Sequence, residues 1–156
     1  MKRDLQAILA CVDFSDVEAE VVATAMSLAK AFGGELHLLH VGEPEPAFVG
    51  YEVGPKTVRD QVAATLREQH RRIEAIAAEA AQQGLRAHPH TLRGPYAETI
   101  LREAEQLRAD VIVLGSHGHG RLHALLVGSV AEGVLRGAKV PVLVVPHPER
   151  VRGATA

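Results

Sequence analysis

The sequence predicts an α/β fold, a parallel five-stranded sheet with helices on both faces, and three observations lead to it. Short apolar runs alternate with segments of helical period along the whole chain, the pattern of β-α-β units around a parallel sheet. The runs 5–12, 111–114 and 140–145 are apolar nearly throughout, as expected of strands covered on both faces. The length of 156 residues suits one domain with a sizeable core.

Leu5 to Val12 reads as the first strand, ending at Asp13, and Ser15-Asp16-Val17-Glu18 is a helix-start signature. Val21, Val22, Ala25, Leu28, Ala29 and Phe32 keep the helical period until Gly33-Gly34 stops it. Leu36 to Val41 is the second strand. A longer helix starts at Thr57-Val58-Arg59-Asp60, carries Val62, Leu66, Ile73, Ile76 and Ala80 on one face, and ends at Gly84. Arg86 to Arg93 is a third strand, and Pro89 inside it removes a ladder donor and assigns it to a sheet edge. Gly94-Pro95 opens a helix with Ile100, Leu101, Ala104 and Leu107 on its apolar face. Val111 to Leu114 is the fourth strand, a helix runs from Ser129 to about Gly137, and Val140 to Val145 is the fifth strand.

Composition narrows the function. Hydrophobic residues are 47% and charged residues 23%, an ordinary balance for a folded globular chain. A net charge of −2 argues against general binding to nucleic acid or to acidic membrane. No run approaches a membrane span, and the apolar stretch 5–12 is too short for a secretion signal. The single Cys11 forms no internal disulfide, sits in an apolar run and reads as a small core residue. A cytoplasmic protein is the resulting expectation.

The chemistry concentrates in Gly115-Ser116-His117-Gly118, nine further residues, and Gly128-Ser129. A strand that ends in glycines and a Gly-Ser at a helix start make a phosphate site. Glycine admits close backbone approach, and the free N–H groups of a helix start carry partial positive charge. Ser129-Val130-Ala131-Glu132 also matches a capping box, so a purely structural use of Ser129 stands beside that reading. In open parallel sheets ligands sit beyond the carboxyl ends of the strands. If the first and fourth strands are neighbours, the ends at Asp13, Val41 and Gly115 converge on one crevice. Residues 42–56, rich in Gly and Pro, leave from the same side, as a lid or as a surface loop.

Asp13, Val41 and Gly115-x-x-Gly118-x9-Gly128-Ser129 together resemble the ATP-binding branch of the universal stress protein family, over essentially the whole chain. The resemblance implies a doubly wound sheet of strand order 3-2-1-4-5, one domain over residues 1–147 and a tail over 148–156. It implies ATP, with or without Mg2+, as ligand. It also implies a homodimer paired through the Val142–Val145 edge, which the apolar character of that strand suggests independently; cover by the tail or a helix is the other option. Residue by residue, Asp13 with Phe14 and Ser15 would take the adenine side, and Val41 would touch the base. Leu114 would floor the ribose, and Gly115 and Gly118 would frame the phosphates. Gly128, Ser129 and Val130 would donate to the phosphates, while Ala131 stands where some relatives carry another hydroxyl.

Other functions fit less well. A nucleotide-binding regulator of stress response, not an enzyme, is the leading expectation, with slow ATP hydrolysis at the same site as the alternative. No general base is evident at the phosphate end, and the Gly-x-x-x-x-Gly-Lys-Ser/Thr loop is absent. A phosphoacceptor domain wants an aspartate closing the third strand and a lysine after the fifth, where this chain has 91–93 and Pro146. A dinucleotide oxidoreductase wants a third glycine where His123 stands, and its glycines after the first strand. Arg121 with His117, His119 and His123 could neutralise phosphate charge or hold a transition metal, but no Cys or carboxylate is near in sequence to close a metal site. His119 and His123 are assigned to a solvated loop, and no metal site is expected. The strand histidines His37, His40, His88 and His90 receive no role, nor do His70 and His147.

Overall fold

Right-handed crossovers dictate the layout of this chain: strands added to one side of β1 place their helices on one face, and strands added to the other side place theirs opposite. The computed structural model describes residues 4–44, 56–116 and 127–147. Its elements are β1 Ala7–Cys11, α1 Glu18–Phe32, β2 Glu35–Gly42, α2 Lys56–Gln82, β3 Ala87–Arg93, α3 Tyr96–Gln106, β4 Val111–Gly115, α4 Ser129–Gly137 and β5 Val142–Val145. The sheet order is β3-β2-β1-β4-β5, with all pairs parallel. Pro89 lies in edge strand β3, opposite Leu38, where a lost ladder donor is tolerated. Residues 45–55, the body of the expected lid, and the tail 148–156 lie outside the described residues.

Alternation along each strand builds two cores. Ile8 and Ala10 of β1 face Val21 and Ala25 of α1 and Ile73, Ala77 and Ala80 of α2. Leu9, Leu39 and Ile112 face the other way, onto Ile100 and Ala104 of α3 and Val134 of α4. Cover on both faces holds for β4, whose Val111 to Leu114 are all buried. It does not hold for β5, where Leu143 is 38% exposed at the sheet edge. Phe32, assigned by period to the buried face of α1, is also exposed, because it falls on the last helical residue before Gly33 turns the chain left-handed at φ 68.

Two helix starts differ from the sequence expectation. No side chain caps α1, whose N-cap position is Val17. Ser15 instead gives its N–H and its hydroxyl to Asp13 Oδ1, at 3.0 and 2.6 Å. The local Asx turn has taken the donor that a capping box would have used. At α4 the N-cap is Gly128 and no side-chain cap bond forms. Ser129 is the first helical residue rather than the cap.

Helix α2 does the most to shape the carboxyl end of the sheet. Its 27 residues span about 40 Å at 1.5 Å each, whereas the eight residues of β2 span about 26 Å. A crossover helix runs back from the carboxyl ends of the strands, so the excess overhangs that end of the sheet. The stripe Val62, Leu66, Ile73, Ile76, Ala80 therefore divides. Ile73 and Ala80 are fully buried on the sheet, while Val62 and Leu66 wall a cavity beyond it.

Truncating Ile73, which is fully buried between α2 and the sheet, leaves a void that close packing refills only partly. Ile73→Ala is expected to cost about 3 kcal/mol in urea unfolding, read as a lower midpoint at unchanged slope. A loss under about 1 kcal/mol would mean that α2 is not packed as described.

Candidate functional site at the carboxyl ends of the strands

Strand order reverses at β1 and β4, and the chain leaves the two strands in opposite directions. A crevice opens there, and in this structure it is a cavity of about 1030 Å³. Its wall takes Asp13 and Phe14 after β1, Val41 of β2, Leu114 and Gly115 of β4, and Gly128, Ser129 and Val130 at the start of α4. The sequence-predicted residues thus converge on one space. Ser15 stands behind Asp13 rather than in the wall, and Gly118 lies outside the described residues, as do His117, His119, Arg121 and His123.

The α4 end of the cavity is built for negative charge. The first intrahelical bond is Glu132 N–H to the Gly128 carbonyl, so the N–H groups of Ser129, Val130 and Ala131 precede the helical ladder. The Gly128 N–H, expected at the phosphates, is donated to the Ser116 carbonyl at 2.7 Å and ties the helix start to the end of β4. Glu132 in the first turn would repel an anion, but Arg136 pairs with it at 2.5 Å.

The β1 end is a tight polar turn. The two Ser15 donors fix Asp13 Oδ1, and Phe14 adopts a left-handed backbone at φ 60, rare for an aromatic residue. Its ring is held on two sides. Arg72 of α2 lies 3.9 Å from the ring centroid as a cation–π partner, and the His40 ring lies 4.4 Å away. His40 Nδ1 is 2.8 Å from the Val12 carbonyl. A carbonyl only accepts, so Nδ1 carries the proton and Nε2 of the neutral ring is a lone pair. That buried Nε2 finds no hydrogen-bond partner among the described residues. Burial raises the Glu18 carboxyl above its ordinary value, with Arg72 opposing and Asp13 reinforcing. Cys11 also lines the cavity, but burial first and Asp13 second push its thiol up to about 12. It is therefore a poor nucleophile, in keeping with its reading as a core residue.

Sequence reasoning missed the α2 wall. Thr65, Gln69 and Arg72 line the cavity, at the i, i+4, i+7 spacing of one helix stripe. The signal was present as polar residues continuing the apolar stripe, but it acquires meaning only once the overhang of α2 is known. Arg93 and Tyr96, where β3 passes into α3, were missed as well. Arg93 Nε donates to the Glu43 carbonyl at 3.1 Å. Among the described residues no group of three His, Cys, Asp or Glu side chains is placed to hold a metal ion, and no helix is long and apolar enough to cross a membrane.

These features define the class: a doubly wound parallel sheet with an open cavity at its switch point. Residues 5–146 match the universal stress protein family, and the chain belongs to that family. Universal stress protein MJ0531 of Methanocaldococcus jannaschii is 34% identical over 139 residues, covering 88% of this chain and 80% of that one. Universal stress protein YxiE of Bacillus subtilis is 31% identical over 143 residues, covering 88% and 97%. Among solved structures, that of the protein MJ0577 superposes with a TM-score of 0.76 at 28% identity, covering 92% of this chain and 97% of that one.

Proposed function

We propose that the cavity binds an adenine nucleotide, ATP in the first instance, and that the protein acts as a nucleotide-responsive regulator rather than as an enzyme. The observation that carries this reading is the shared cavity. Three first-turn amides of α4 open one end of it, and Asp13 and Val41 stand at the other. Ser129, Val130 and Ala131 would hold the phosphates through backbone N–H, with the Ser129 hydroxyl adding a fourth donor. Gly115 would let the backbone approach them closely. Asp13 would accept from the amino group of the base, with Val41 packed on its plane and Leu114 under the ribose. Mg2+ would accompany the phosphates and supply charge neutralisation there. Gly118 would join the phosphate contacts. The carboxylate described at the α4 end, Glu132, is tied to Arg136 and is not part of the cavity wall, so occupancy, not turnover, is the output: bound ligand shifts a population of conformers.

The same reading makes the protein a cytoplasmic homodimer paired along β5. That strand is an edge of the sheet, and the partly exposed run Val142–Val145 leaves a ladder open for a second copy. The test is mass by light scattering at micromolar concentration. Twice 16.7 kDa is expected, with a return to one chain on Leu143→Lys. A wild-type monomer would end this part of the proposal.

Proline is tolerated at the first helical position, which makes Ser129 a clean probe of the amides. Ser129→Ala removes only the hydroxyl, whereas Ser129→Pro removes the hydroxyl and one N–H without disturbing α4. In calorimetry with MgATP the first should weaken binding about 10-fold and the second about 150-fold or more, since each hydrogen bond to a charged group contributes about 1.5–3 kcal/mol. Equal affinities for all three proteins would exclude the α4 start as the phosphate site.

A further inference from the structure

Away from the cavity, the β2–β3 pair gathers imidazoles and carboxylates to which the nucleotide reading gives no role. The register sets His37 opposite His88 and Leu39 opposite His90, so the three rings share the face covered by α3. His37 Nδ1 lies 3.0 Å from His90 Nε2, and His90 Nδ1 lies 3.5 Å from Glu103 Oε1 of α3. His37 Nε2 is 3.9 Å and His88 Nε2 is 3.5 Å from Glu35 Oε2. Glu35 Oε1 takes Arg86 Nη1 at 2.6 Å. The His88 ring stacks on His37 at 5.0 Å. His37 and Glu103 are both buried. The remaining nearby carboxylate, Asp110, accepts from the Gln6 and Ala7 N–H groups.

Proton bookkeeping gives this chain of groups a direction. A hydrogen bond between two imidazoles needs one lone pair. The Glu103 carboxylate, 3.5 Å from His90 Nδ1, favours the proton on that nitrogen, which leaves His90 Nε2 as the lone pair and His37 Nδ1 as the donor. A proton added to His37 is tolerated, because Glu35 stands beside its other nitrogen. A proton added at His90 Nε2 is not: two N–H groups and two cations would then meet at 3.0 Å. The contact can exist only while the pair holds at most one extra proton.

We propose that the His37–His90 pair is an acid-sensitive latch, holding edge strand β3 and helix α3 to β2 at neutral pH and releasing them on acidification. Both rings lie below the ordinary imidazole value. For His37 the cause is burial, then His90 and His88, with Glu35 opposing. For His90 it is burial, with Glu103 opposing and His88 adding. The unfolded chain therefore takes these protons first. The latch contributes fully above about pH 6.5, the unfolded value, and its contribution is lost as pH falls from there through the lower folded values. The three latched elements also carry Val41, Arg93 and Ile100 to the cavity, so release alters that wall whatever the cavity binds.

The test uses the full chain without nucleotide. Glutamine at both positions keeps donors and acceptors but cannot titrate, so wild type is compared with His37→Gln/His90→Gln. Between pH 7.5 and 5.0 the thermal midpoint of the wild type should fall about 5 °C further than that of the variant. In NMR the two wild-type rings should titrate as a coupled pair, below the ordinary imidazole value. Equal falls in both proteins would overturn the latch, as would two rings titrating independently at about 6.5. A midpoint at pH 7.5 that rises with added zinc in wild type alone would assign the nitrogens to a metal and also overturn it. The ring titration decides the matter even if the double variant fails to fold.

Discussion

The crevice between the carboxyl ends of β1 and β4 is the constraint on which the rest of this molecule depends. Parallel strands need crossovers, and crossovers have one hand. Because β2 and β3 lie to one side of β1 and β4 and β5 to the other, α1 and α2 cover one face and α3 and α4 the other. The segments leaving β1 and β4 must then part, and nothing in the sheet itself can fill the gap. Every predicted contact with a ligand follows from what happens to end there: a strained turn at Asp13–Phe14, the last residues of β2, the glycine end of β4 and the amides of α4.

Two ends of the cavity solve different problems. At α4 the peptide dipoles and unladdered N–H groups supply positive potential without a cation, and the one acidic residue of the first turn is neutralised by its own helix. At β1 the turn is stiffened from within by Ser15 and from outside by the Arg72–Phe14–His40 stack. That stack couples α2 to the left-handed Phe14, so the overhanging helix braces the wall as well as forming it. The His37–His90 pair makes a comparable connection at the other end of the same strands, between β2, β3 and α3.

Much of this was legible in the sequence, for reasons that can be named. Strand ends are easy to locate where apolar runs meet Asp or Gly, and Pro89 marked one edge by its missing donor; the full strand order, and with it the convergence of Asp13, Val41, Gly115 and Ser129, came from the family resemblance, because local pattern does not say that β1 and β4 are neighbours. Helix caps were less so. At Ser15 and Ser129 a capping pattern competed with another use of the same atoms, an Asx turn in one case and the first helical position in the other. Side chains brought together across strands were illegible. His37 and His88 are 51 positions apart in sequence and opposite one another in the ladder, a register that no local pattern encodes. The Thr65, Gln69 and Arg72 wall was hidden for a different reason: it requires comparing the length of α2 with that of the sheet.

The central claim is that backbone amides at the start of α4 hold a polyanion. The most direct measurement is a nitrogen-15 NMR titration of the labelled protein with MgATP, with adenosine as control. The account predicts that the Ser129, Val130 and Ala131 amide resonances shift with ATP and saturate together, and that adenosine moves the residues around Asp13 and Val41 but leaves those amides in place. ATP binding that perturbs the Asp13 end alone, with the α4 amides unmoved at saturation, would contradict it.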